Sequence, residues 1–299
     1  MTAGFGNVGE WAAADEAGQT WATQFRKLVA STATTTNAWL DYTYSGGSPT
    51  ANFYASTPLE SAVVEAARGI YVPSVAPAKQ FLRNLMVMTG AASATSTANG
   101  RQQLILADYL LYYPFIDTDA VGESQPLENT VALPRYAAGR VVAVAQSAAS
   151  AVGTFTFTYT NQNGVAGRVS PANRTAAVAG GGQVVGAGGA GTSYSPFLDL
   201  QAGDSGVQSI QEVTMSGGGG GLMALVIVKP LLSATATQEC RRTTTGNIES
   251  YGAADEFSAL IHRHPAEIKD GAVLGVLAAG YAGSLASSTL VGLLETIWN

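Results

Sequence analysis

Residues 154–160 read Thr-Phe-Thr-Phe-Thr-Tyr-Thr, an unbroken alternation of threonine and aromatic side chains. Successive side chains on a β-strand point to opposite faces, so three aromatics fall on one face and four threonines on the other. A helix would scatter both kinds around its axis. The segment therefore commits the chain to a sheet with one apolar inner face and one hydroxyl-bearing outer face. Asn161-Gln162-Asn163-Gly164 follows, and its Asn-Gly pair signals a turn that returns the chain through residues 165–169 as a hairpin.

The same reading finds further strand-length apolar runs at 38–44, 81–88, 104–113, 140–145, 257–261, 272–278 and 290–298. Two more, 207–215 and 222–228, flank the glycine run Gly217–Gly221 and suggest a second hairpin. Many short strands divided by Gly, Pro and Asn turns predict a mainly β chain, an antiparallel β-sandwich or jelly roll. Helix signals cluster at the N-terminus. Across residues 8–30, acids come early (Glu10, Asp15, Glu16) and bases late (Arg26, Lys27), which suits the helix dipole, with a break near Gly18. A second short helix is expected from Thr57-Pro58-Leu59-Glu60, where Thr57 caps and Glu60 closes a capping box, to Gly69. The expected organisation is a helical arm over 1–30 and a sandwich body over 31–299, with 240–299 adding C-terminal strands. Trp11, Trp21 and Phe25 on the arm are the candidate interface anchors, because aromatic residues are enriched in interface cores.

Charged residues make up only 12% of the 299, about half the share of an ordinary soluble domain, and Ala, Gly, Thr and Ser take their place. Such a surface resists aggregation poorly when bare and suits being covered by other subunits. The net charge of −6 argues against duplex nucleic acid as a partner, which would demand a basic stripe for phosphate contacts. Cys240 is the single cysteine, which excludes an intrachain disulfide and a multi-cysteine zinc site. The opening Met1-Thr2-Ala3-Gly4-Phe5-Gly6 lacks the pattern of a secretion signal, so synthesis and folding in the cytoplasm are expected. Residues 271–294 carry no charge and reach bilayer length, but glycines and Ser287-Ser288-Thr289 divide them into two strand-length runs. No membrane partner is expected.

Several motifs invite a chemical reading and lose it on context. Gly203-Asp204-Ser205-Gly206 matches the surroundings of a chymotrypsin-like nucleophile, but both histidines, His262 and His264, follow the serine where that fold needs its base before it. A polar turn explains the tetrapeptide. Residues 117–128 match an EF-hand loop at Asp117, Asp119, Gly122 and Glu128, yet Val121 sits where a ligand oxygen belongs and Pro126 opposes a flanking helix. His262-Arg263-His264 places two imidazoles on one strand face without a convergent third ligand. Gly217–Gly221 leads into an apolar strand and not into the helix N-terminus a phosphate loop needs. Asn173-Arg174-Thr175 is a formal glycosylation sequon, and residues 180–191 read as a flexible glycine-rich loop. No catalytic, cofactor-binding or metal-binding residue is assigned.

Taken together, Leu106-Ala107-Asp108-Tyr109-Leu110-Leu111-Tyr112-Tyr113-Pro114-Phe115-Ile116-Asp117, Leu133-Pro134-Arg135-Tyr136, residues 159–168, residues 200–207 and the terminal Thr296-Ile297-Trp298-Asn299 resemble tailed-phage virion structural proteins. The resemblance spans about residues 80–299. It implies a β-sandwich or jelly-roll subunit on the particle, of the capsid decoration or cement type. It further implies the major capsid protein as partner, a homo-oligomer (trimer or dimer), a place on the capsid exterior and no catalytic residues. A tail or fibre component that binds host-surface carbohydrate is the alternative.

Overall fold

A computed structural model describes residues 4–28, 38–91, 102–178, 180–185, 195–236, 239–242, 248–250, 255–258, 265–280 and 288–299. Among these, α1 (Val8–Glu16) is followed by β1 (Thr20–Leu28), β2 (Trp39–Asp41), β3 (Gly46–Ser48), β4 (Ala62–Val63), β5 (Gln80–Ala91), β6 (Gln102–Asp117), β7 (Ser124–Pro126), β8 (Arg140–Ala145) and β9 (Thr154–Asn161). The second half carries β10 (Arg168–Val169), β11 (Asn173–Arg174), β12 (Val207–Met215), β13 (Leu222–Ala236), β14 (Glu239–Arg242), β15 (Ile248–Ser250), β16 (Asp255–Ser258), β17 (Glu267–Ile268), β18 (Leu274–Gly280) and β19 (Ser288–Trp298). The fold is mainly β. Its strands pair antiparallel in three sheets, save a short parallel contact between β14 and β5.

The central sheet runs β2-β18-β6-β13-β8 and is buried on both sides. That explains why β6 and β13 read as near-continuous apolar runs. One side meets the β5-β19-β1 sheet, where Phe25, Leu85 and Leu294 pack on Leu104, Leu106 and Val276. The other half of β6 and β13 meets the β9-β12 sheet, where Phe155, Phe157 and Val213 pack on Tyr113, Leu225 and Ile227. A third core, with Tyr109, Val142 and Val226, lies under Tyr54 and Val184. This is the stacking of a sandwich, built from three sheets. The threonine–aromatic strand obeys its alternation: Phe155, Phe157 and Tyr159 are fully buried and the threonines half-buried.

Three expectations are corrected. Residues 8–30 are not one broken helix: α1 stops at Glu16, Gly18 turns the chain at φ +70°, and residues 20–28 form β1, paired along its length with β19. The reason is a period of two, which sends Phe25 and Lys27 inward and leaves Gln24, Arg26 and Leu28 exposed. Residues 57–69 are a turn, the short β4 and a 3-10 turn at Ala66–Arg68. Leu59 takes φ +61°, donates its N–H to the Pro114 carbonyl and accepts the Glu128 N–H at its own carbonyl, so tertiary pairing outweighs the capping box. The run Gly217–Gly221 does not join a hairpin, because β12 belongs to the sheet of β9 and β13 to the central sheet. The glycines carry the chain across: Gly221 sits at φ +92° with its Cα against the Ala148 carbonyl, leaving no room for a side chain.

The uncharged stretch 271–294 falls on β18 and β19, which lie in different sheets. No helix among the described residues is long and apolar enough to cross a membrane. The glycine-rich loop is partly ordered by pairing, with Gly182 N–H donating to the Ala145 carbonyl at 2.8 Å and Val184 N–H to the Trp39 carbonyl at 2.9 Å, while 186–191 lie outside the described residues. His262 and His264 also lie outside them.

Candidate functional site

The chain's buried ionisable groups are the first places to seek chemistry. Asp41, at the end of β2, is fully buried on the third core's side. Its carboxylate accepts from Thr43 N–H at 2.8 Å, Tyr109 Oη at 2.8 Å, the Thr43 hydroxyl and the Tyr54 hydroxyl. Burial pushes the Asp41 carboxyl up while these donors pull it down, and the same burial holds both phenols well above the ordinary tyrosine value. Lys27 enters from β1 and donates to the Pro49 carbonyl at 2.8 Å; burial lowers its pKa to about 8, against the attraction of Asp41. Asp41, Tyr54 and Tyr109 in this cluster are fully buried. Its role is to clamp the 41–54 segment onto the central sheet.

The second group is an ion pair at the seam between two cores. Asp108 lies on β6 between Leu104 and Leu106, which feed the first core, and Leu110, Leu111 and Tyr113, which feed the second. Arg135 reaches it with two parallel bonds, Nε at 2.9 Å and Nη2 at 2.7 Å, and Nη2 also donates to the Tyr109 carbonyl at 3.2 Å. Val273 N–H gives Asp108 a further bond at 2.9 Å. The next residue, Tyr136, holds φ +59° and receives the Lys229 ammonium over its ring at 5.7 Å. Burial still holds the Asp108 carboxyl above its ordinary value, against the pull of Arg135.

The protease-like tetrapeptide proves to be a turn whose centre is Asp204, not Ser205. Asp204 accepts from Tyr159 Oη at 2.6 Å, Asn161 Nδ2 at 2.8 Å and Arg168 Nε at 2.9 Å. The Arg168 bond leads in holding the carboxyl at about 2. Gln162 Oε1 accepts the N–H groups of Ser205 and Gly206 at 3.0 and 3.2 Å, closing the turn onto the β9 hairpin. The calcium-like loop is likewise filled internally. Asp117 Oδ1 takes the Asp119 N–H at 2.8 Å, Asp119 Oδ1 takes the Gly220 N–H at 2.8 Å, and Glu128 is carried away to pair with Leu59 and Ser61. Among the described residues no His, Cys, Asp and Glu group is placed to hold a metal ion. Asn173 is buried, with its side chain bonded to the 170–171 turn and to Asp199, so the sequon is inaccessible.

What remains exposed and specific is aromatic. The three anchors read from sequence part company. Trp11 packs with Phe5, Phe81 and Ile297 against the chain's own sheet, and Phe25 is sunk in the first core with its ring over Gly292. Neither is available to a partner. Trp21 stands 43% exposed and meets Tyr71, 60% exposed, in an edge-to-face contact with centroids 6.1 Å apart. Thr23 fixes the pair: it accepts from Trp21 Nε1 at 2.8 Å and donates to the Tyr71 carbonyl at 2.7 Å. The Trp21 ring is thus tied by a hydrogen bond and meets the Tyr71 ring at the surface, an arrangement that offers contact area to a partner. Tyr71 was not legible beforehand, because it follows Ile70 in a segment with no periodic pattern. No protein family model, curated protein or solved structure matches this chain.

Proposed function

We propose that the chain is a non-enzymatic structural subunit of a tailed-phage virion, a decoration or cement protein on the capsid exterior that braces major capsid proteins and neighbouring copies. One observation carries the reading. The carboxylates Asp41, Asp108 and Asp204 are each enclosed by donors of their own chain, and among the described residues the surface carries aromatic contacts, the Trp21–Tyr71 pair with both rings exposed. The low surface charge and the virion-like phrases of the sequence favour the same reading. The mechanism is passive: contacts spread over a wide interface and repeated by symmetry resist expansion of the head, with no nucleic acid, cofactor or membrane taking part.

The test is co-sedimentation of the purified chain with empty heads of the phage that encodes it. Saturable binding that weakens for Trp21→Ala/Tyr71→Ala is expected; a chain left in the supernatant would refute the proposal. The same aromatic pair suits stacking on a sugar ring, the reading of a tail or fibre component that binds host-surface carbohydrate. Glycan-array binding lost in the same double variant would favour that alternative.

A further inference from the structure

Among the described residues, part of one edge of β1 has no strand partner. On one side it pairs with β19 from Thr20 to Leu28. On the other, β3 covers only Arg26, Lys27 and Leu28, so residues 20–25 have no strand partner there among the described residues. Alternate N–H and C=O groups of those residues face outward. Open edges are ordinarily blunted by charges, proline or a bulge. Here Thr20-Trp21-Ala22-Thr23-Gln24-Phe25 has no charge, no proline and an unshifted register with β19. Trp21 and Tyr71 stand beside it.

We infer that this edge is a self-association surface, on which a second copy of the chain adds its own β1 antiparallel across a two-fold axis. The inference rests on the assembly reading above and names the surface it uses. An axis normal to the sheet through Ala22 sets Thr20 against Gln24 of the second copy and Trp21 against its Thr23. The pairing stops before Arg26, where β3 occupies the edge. Charge favours this direction. Glu16 ends α1 ahead of the open segment and Arg26 lies on β1 just past it; both are exposed, and neither makes an ion pair among the described residues. Antiparallel addition brings Arg26 of each copy toward Glu16 of the other, whereas parallel stacking would align like charges. The interface is isologous and joins the two β1 sheets into one.

Ala22 is exposed and would lie on the axis, so a charge there faces its own copy directly. Sedimentation equilibrium of the full chain is the test, with urea midpoints confirming that variants fold. The expected result is a wild-type dimer, self-association weakened at least about tenfold in Ala22→Lys and in Ala22→Glu, and a dimer restored when the two variants are mixed. A monomer at every concentration, a trimer, or a dimer indifferent to both variants overturns the inference. Because no capsid is present, that failure is separate from failure to bind heads, which bears only on the assembly reading.

Discussion

Replacing Arg135 by methionine leaves the Asp108 carboxylate in place without its guanidinium partner. Asp108 is fully buried and the Arg135 side chain only 13% exposed, so the pair is desolvated and its loss is not cushioned by water. Breaking a buried pair from one side costs about 3–5 kcal/mol. With an m-value of about 3 kcal/mol/M for a chain of this size, that cost lowers the urea midpoint by more than about 1 M at neutral pH. Asp108→Asn/Arg135→Met removes both charges and keeps an acceptor for Val273 N–H, and it should lie within about 2 kcal/mol of wild type. The pH dependence follows from sign. Burial already raises the Asp108 carboxyl, and losing Arg135 raises it further. A raised carboxyl penalises the folded state increasingly as pH climbs from the unfolded-state value through the folded one. The gap between Arg135→Met and wild type must therefore narrow toward acid pH. A midpoint shift under about 0.3 M, or a gap indifferent to pH, would refute the claim that this ion pair holds the seam between the two cores.

Lys27→Met should stabilise the chain by about 1–2 kcal/mol near neutrality, since burial lowers Lys27 to about 8 and the lost bond to Pro49 offsets part of the gain. The penalty on the charged amine is full below that value and fades as pH rises toward the ordinary lysine range, so equal gains near pH 7 and near pH 10 in urea unfolding would sink the assignment. Gly275→Ala sets a methyl group against the Thr43 methyl and the Tyr109 ring, and thermal unfolding should register a loss of about 1–3 kcal/mol. Asp204→Asn should loosen the turn at 203–206, seen as faster amide exchange at Ser205 and Gly206, whereas Ser205→Ala should leave that exchange unchanged.

β9 is legible because one side chain type repeats every second residue, and Phe155, Phe157 and Tyr159 report a single buried face. β8 and β12 also match their expected bounds, but for other reasons: β8 is apolar after Arg140 because both of its faces are buried, and bulges in β12 space Val207, Ile210 and Val213 three apart. β1 reads as a helix in the sequence because its charge order imitates a helix dipole, and only Phe25 and Lys27 mark its buried face; an inward lysine is a poor signal of burial. The apparent hairpin at 207–228 failed because periodicity locates strands but does not say which sheet each one joins. Of the three anchors, sequence could not sort Trp11 and Phe25 from Trp21. All are aromatic, and their fates depend on partners such as Ile297 and Gly292 that lie far along the chain. Pro114 sits inside the central strand β6, where proline is normally unwelcome; a bulge opposite Ala224, with Phe115 at φ +59°, accommodates it.

The proposed virion role is tested most directly by a reconstruction of the particle it calls for. The expected result is symmetry-related copies of the chain on the outside of a phage head, seated over contacts between major capsid proteins, with Trp21 and Tyr71 covered by a neighbouring subunit. Density for the chain at the tail tip, or none anywhere in the particle, would contradict it.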